Sequence, residues 1–248
     1  NLKLNTKMII SFHLLYYNYY FCSSYNTLME QINIVKTDDG SHTLFSKEFN
    51  AHYHSLRGAL QESLHIFIQN GYNYLSKSEV NILEVGFGTG LNAALTASRA
   101  ASLKRETHYT GVELYPPSKL ILSELNYTSF LAEEIASNWK IITDTEWNVE
   151  TRINEYFSIT KIHDDFINLE ITHSYDIIYF DAFAPDDQPE MWSESIFKKL
   201  YKIVNPEGII VTYCSKGIVK QGLRKVGFKV ERLAGPAGKR HMLRAIHP

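Results

Sequence analysis

Residues 81–92, NILEVGFGTGLN, carry the residue types and spacing of a ligand-binding loop. An apolar run, Ile82, Leu83 and Val85, ends at Gly86, Gly88 and Gly90, and a small-residue helical stretch follows from Asn92. A strand that turns through glycines into a helix N-terminus lets a ligand approach bare backbone N–H groups at the positive end of the helix. Doubly wound sheets hold adenosine cofactors at this junction. A dinucleotide fingerprint would read G-x-G-x-x-G, but the spacing here is G-x-G-x-G and Leu91 stands where the third glycine would fall. Glu84 adds an acid two places before the first glycine. Both departures favour S-adenosylmethionine, which has no pyrophosphate to cradle and carries a sulfonium and an amino group for carboxylates to face.

Other acids stand where strand-like runs stop. Residues 174–181, SYDIIYFD, form a β-branched and aromatic run that ends at Asp181, just before AFAPDDQPEMW. The carboxyl end of a central strand is where α/β enzymes place working residues. Asp181 is therefore the candidate catalytic group, with Phe183 and Pro185 as a flat apolar wall beside it. Glu113 closes HYTGVE, and an acid at the tip of the second strand is placed to accept hydrogen bonds from ribose hydroxyls. His163-Asp164-Asp165, at the end of a third strand, offers a carboxylate for an adenine amino group or a helix N-cap, and spacing does not choose between them. His52, His54 and His65 could suggest a metal, but no carboxylate or cysteine set completes a site. Packing or substrate-pocket roles are expected for them, and no metal.

The elements that must position these residues follow from pattern. Residues 32–35 and 41–45 read as a hairpin about Thr37-Asp38-Asp39-Gly40. In 49–72, Leu56, Leu60, Leu64, Phe67 and Ile68 recur at helical spacing up to Gly71, which predicts a helix packed on the sheet. Beyond the glycine loop come a helix at 92–101, one or two helices over 119–139, a hairpin around Asn154-Glu155, and a helix at 193–204. A turn at Pro206-Glu207-Gly208, a strand at 208–213, a helix at 216–226 and two late strands, 228–233 and 239–246, complete the chain. The fold expected is α/β, a doubly wound, mostly parallel sheet of the class I S-adenosylmethionine-dependent methyltransferase kind. It ends in an antiparallel C-terminal hairpin and carries a small N-terminal β-hairpin and helix.

With 248 residues and no dividing linker, one domain is expected over 29–248, with a cap at 29–75. Residues 8–22 are apolar and aromatic and follow Lys3 and Lys7, but His13 and Asn18 interrupt them and no A-x-A-like site follows. They are too short to span a bilayer, and Met29 opens a more ordinary protein start, so 1–28 are read as a non-native or disordered extension. Cys22 and Cys214 lie far apart without C-x-x-C spacing, so the cytoplasm is the expected location. A net charge of −2 gives no global polyanion signature. Between 216 and 244, however, nine Lys and Arg stand against Glu231 alone, and the tip Gly238-Lys239-Arg240-His241 reads as a phosphate-contacting patch.

Four segments, DGSHTLFSKEFNAHYHSLRGALQES, LEVGFGTGLN, YFDAFAPDDQPEMW and LAGPAGKRHML, resemble the bacterial tRNA 5-methylaminomethyl-2-thiouridine methyltransferases from about Asp38 onward. Those enzymes occur as one half of a bifunctional protein and as stand-alone chains. The resemblance implies that Glu84, Gly86, Gly88, Gly90 and Asn92 form the cofactor loop, that Glu113 holds ribose and Asp164 meets adenine, and that Asp181 faces the target amine. It further implies that Phe183 walls the extruded uracil and that Lys239 and Arg240 take anticodon-loop phosphates of tRNA. S-adenosylmethionine is the only cofactor expected, without FAD, and only methyl transfer is expected. Where the family commonly has Gly-Asp-Ala, this chain has His163-Asp164-Asp165, which leaves open which aspartate meets adenine. A transferase acting on a small amine, like the polyamine aminopropyltransferases, is the alternative.

Overall fold

The computed structural model describes residues 32–248, so the extension expected at 1–28 lies outside the described residues. Strands β1 (Ile32–Lys36) and β2 (His42–Ser46) pair antiparallel, with Ile34 opposite Leu44, and β3 (Ala51–His52) adds to β2. Their turn closes on Asp39, whose carboxylate accepts from Thr37 Oγ1 at 2.8 Å and Ser41 N at 2.9 Å.

The helix expected through 49–71 starts only at α1 (Ala59–Ser63), and Leu64–Gln69 continue it as a π-helical segment. Gly58 sets this start: its φ is 148°, and the Asp39 carboxylate lies 2.5 Å from where a Cβ would stand. Leu56, expected on the buried face, is 44 % exposed, whereas Phe67 and Ile68 are in the core.

The main sheet contains β4 (Glu79–Val85), β5 (Glu106–Glu113), β6 (Glu150–Asn154), β7 (Phe157–His163), β8 (Tyr175–Phe180), β9 (Val204–Thr212), β10 (Lys229–Ala234) and β11 (His241–Ile246). Their order is β10-β11-β9-β8-β4-β5-β7-β6, and the strands from β9 to β7 run parallel. The β10-β11 hairpin pairs antiparallel with β9, as expected, and β6 turns back on β7. The turn expected at Pro206-Glu207-Gly208 is absorbed into β9 as an irregularity, with Glu207 at φ 63°.

Strands buried on both faces read as apolar runs, and all six residues of β8 are buried. Alternation sends Ile82, Tyr109 and Tyr179 to one side of the sheet and Leu83, Val85 and Phe180 to the other. On the first side lie α1, α2 (Leu91–Leu103), α3 (Lys119–Ser123), α4 (Tyr127–Phe130) and α5 (Glu133–Asp144). Helices α6 (Glu194–Ile203) and α7 (Gly217–Lys225) cover the second. Chain order reverses between β4 and its neighbours β5 and β8, which opens a crevice at their carboxyl ends.

Candidate functional site

A cavity of about 510 Å³ opens at this switch point. Gly86, Gly88, Asn92, Glu113, Asp164, Asp181 and Phe183 all line it; Glu84, Gly90, Lys239 and Arg240 do not. The glycines are required by geometry. Gly86 has φ 88°, and a Cβ there would lie 2.6 Å from the Asp181 carbonyl oxygen. Gly88 has φ 52°, and its missing Cβ would sit 3.0 Å from the Tyr53 ring. Gly90 acts one step back, at φ 76° as the N-cap of α2.

Glu84 lies beneath the loop instead of facing the ligand. Strand alternation points it into the α2 side of the core, where it is 0 % exposed and accepts from Asn92 Nδ2 at 2.8 Å and Tyr109 Oη at 2.7 Å. Burial pushes its carboxyl up to about 8, against the two hydrogen bonds and with the help of Glu113. Asn92, 3 % exposed, also donates to Asp181 Oδ2 at 3.1 Å, so one amide joins the glycine loop to the acid at the end of β8. Asp181 is half-buried and lines the cavity. Its enclosure, then Glu62 and Glu84, holds it well above the usual carboxylate range, against the opposing pull of Lys239 and Asn92.

Glu113 accepts from Gly88 N and Tyr115 N, each at 2.9 Å, one on each oxygen, and Leu114 N also bonds the carboxylate, which leaves acceptor capacity for a further donor. Enclosure raises its pKa, with the backbone hydrogen bonds opposing. Asp165 spends its carboxylate on Ile167 N at 2.9 Å and Asn168 Nδ2 at 2.7 Å, capping the following turn. Asp164 accepts on Oδ1 from Asp165 N at 2.7 Å, and both aspartates line the cavity.

Three features fit S-adenosylmethionine. The backbone cradle at Gly86 and Gly88 has no room for side chains, Glu113 retains acceptor capacity for a diol, and Asn92 Oδ1 is a buried acceptor without a partner among the described residues. That oxygen suits an ammonium donor. The three histidines separate: His52 packs on Phe45, His65 Nε2 meets the Ala234 carbonyl, and His54 lines the cavity. Burial lowers the His54 pKa to about 4, so it is neutral at physiological pH. Among the described residues, no His, Cys, Asp and Glu group could hold a metal.

The cap supplies residues that sequence reasoning missed. Phe49 stacks on Phe183 at 4.7 Å and 25°, and Tyr53 meets Phe183 edge-on at 5.3 Å. Trp147 also lines the cavity, with the Lys161 ammonium 5.0 Å from its ring centroid. No local period marks these residues.

The expected phosphate patch changes character. Lys239 turns inward to pair with Glu62, its Nζ 4.0 Å from the Tyr213 ring centroid, so it is not free for a phosphate. The buried Glu62 carboxylate draws it in. Arg240 is exposed, with no ion pair among the described residues.

A family model described as S-adenosyl-L-methionine-dependent methyltransferase matches residues 126–248. The tRNA 5-methylaminomethyl-2-thiouridine biosynthesis bifunctional protein MnmC of Marinomonas sp. (strain MWYL1) is 30 % identical over 213 residues, covering 79 % of this chain and 31 % of the relative. Its namesake in Burkholderia thailandensis is 32 % identical over 226 residues, with 85 % and 34 % covered. The chain thus spans about a third of the length of these curated relatives. The crystal structure of MNMC2 from Aquifex aeolicus superposes with a TM-score of 0.74 over 97 % of this chain and 84 % of that one, at 22 % identity, and so supports the fold. Together with the glycine cradle at the switch point, these matches make the chain similar to S-adenosyl-L-methionine-dependent methyltransferases over residues 126–248 and to the MnmC proteins over 79–85 % of its length.

Proposed function

We propose that the chain methylates the primary amine of 5-aminomethyl-2-thiouridine at the wobble position of tRNA, engaging the anticodon loop, and that it works in the cytoplasm. The substrate follows from the names of the MnmC relatives. The observation that carries the chemistry is that Asp181 opens into the same cavity as the glycine loop and is tied to it through Asn92. An amine of lysine-like pKa is mostly protonated at neutral pH, and presenting its lone pair costs about 3 to 4 kcal/mol. Asp181, with its proton affinity raised, receives the ammonium hydrogen bond, takes the proton and aims the nitrogen. Bound S-adenosylmethionine supplies an already activated methyl carbon on a sulfonium, so positioning contributes most of the acceleration. Gly86, Gly88, Asn92, Glu113 and Asp164 hold that cofactor. Phe183, with Phe49, walls the extruded base, and Arg240 takes a phosphate.

The aminopropyltransferase alternative finds no support in the family match. Labelled S-adenosylmethionine and tRNA lacking the final methyl group provide the test. Label is expected in the wobble nucleoside, and Asp181→Ala should lower kcat at least about 100-fold with cofactor Kd unchanged. Label transferred only to a small amine, or undiminished turnover by the variant, overturns the reading.

A further inference from the structure

We propose that Glu62 and Lys239, an ion pair formed between the N-terminal cap and the C-terminal hairpin, control the charge state of Asp181 and act as positioning residues for methyl transfer. The proposal rests on the reading of Asp181 as the group that faces the acceptor amine. Glu62, 5 % exposed on α1, accepts Ser55 N on Oε2 at 2.6 Å and pairs with Lys239 Nζ through Oε1. Lys239 lies over Tyr213, whose hydroxyl donates to the Ala182 carbonyl at 2.9 Å, next to Asp181 in the chain. The hairpin tip is pressed onto the cap: a Cβ on Gly238 would lie 2.5 Å from Arg57 Cγ, and His65 Nε2 is 2.8 Å from the Ala234 oxygen. Two charges far apart in sequence are thereby paired where cap meets hairpin, with Tyr213 linking Lys239 to the backbone of Ala182, the residue after Asp181.

The groups that act on Asp181 from the surrounding elements are Glu62, Lys239, Glu84, Asn92, Tyr109 and Tyr213. Burial holds both tyrosines neutral, and the amide of Asn92 does not titrate. Glu84 changes charge only near pH 8. Glu62 and Lys239 act on Asp181 with opposite sign: Glu62 favours its protonated form and Lys239 its carboxylate. The opposition has a chemical use. A carboxylate of ordinary proton affinity is a poor acceptor for an alkylammonium proton, and one raised without limit would already carry a proton when the substrate arrived. The pair poises Asp181 between these extremes, and deleting either member leaves the other uncompensated.

The test is the pH profile of kcat/KM for tRNA methylation in Glu62→Gln and Lys239→Met, together with 13C-carboxyl NMR of Asp181 in RNA-free protein, assigned through Asp181→Asn. The acid limb and the Asp181 titration should move to lower pH in Glu62→Gln and to higher pH in Lys239→Met. On the acid side, kcat/KM should change in opposite directions, by about three- to tenfold. Lys239→Arg keeps the charge and should leave both readouts in place; if Glu62→Gln does not fold, the Met and Arg variants at Lys239 decide alone. Equal losses with unmoved limbs, or shifts of the same sign, show a latch without control of charge and overturn the proposal. If wild-type protein methylates no tRNA, the functional reading falls, and the NMR titrations still judge the pair.

Discussion

Glu84 shows how the position of a carboxylate in a strand, rather than its nearness to a motif in sequence, fixes its role. It sits two residues before Gly86 and looks like a cofactor ligand, yet strand alternation sends it to Tyr109 and Asn92 beneath the loop. Its pKa near 8 makes it a stability determinant with a definite sign. The folded protein keeps a proton that the unfolded chain, titrating at the ordinary glutamate value of 4.5, releases. The group therefore favours folding fully below about pH 4.5, and that contribution is lost as pH rises through about 8. Glu84→Gln removes this titration and can still meet both donors, because the Tyr109 hydroxyl can accept from an amide. Relative to wild type, the variant should gain several kcal/mol in urea stability between pH 5 and pH 8. A difference that does not vary with pH would place the proton elsewhere.

At the scale of elements, the cap hairpin and the β8-to-α6 connection close on one another through Phe49, Tyr53 and Phe183. A pyrimidine ring entering beside Phe183 must displace or join the Phe49 stack. Phe49→Ala should therefore raise the tRNA KM several-fold, since base–aromatic stacking is worth about 1–3 kcal/mol per base, and leave cofactor Kd unchanged by calorimetry. A changed cofactor Kd with unchanged KM would assign Phe49 to the donor half. The two halves of the site were not equally legible in the sequence. The glycine loop, Glu113 and Asp181 could be read because buried parallel strands announce themselves as apolar runs and their ends mark the crevice. Phe49, Tyr53 and Glu62 could not, because their partners lie at Phe183, Gly88 and Lys239 and no local period encodes such long-range packing. The start of α1 was hidden for the same reason, since it depends on Asp39 filling the space over Gly58.

Across the whole molecule, four of the nine Lys and Arg between 216 and 244 are paired with acids. Lys216 pairs with Asp186, Lys225 with Glu194, Arg244 with Glu231 and Lys239 with Glu62. Arg232 and Arg240 stay exposed, without an ion pair among the described residues, and both act on His241, so they lie together at the hairpin tip. A polyanion meeting a chain of net charge −2 would find positive field at this tip, and Lys220, Arg224 and Lys229 also lack an ion pair among the described residues. Each phosphate that a side chain neutralises steepens the fall of log Kobs with log salt by roughly 0.7–0.9, through release of condensed counterions. Arg240→Glu should flatten the salt dependence of tRNA binding by about that amount for each phosphate it no longer neutralises, read by filter binding between about 50 and 200 mM salt. Lys239→Met should leave the slope unchanged, because its ammonium is already committed to Glu62. A slope that flattens for Lys239→Met and not for Arg240→Glu would mean that the lysine leaves Glu62 when RNA binds, and the charge control of Asp181 would then exist only in the free enzyme.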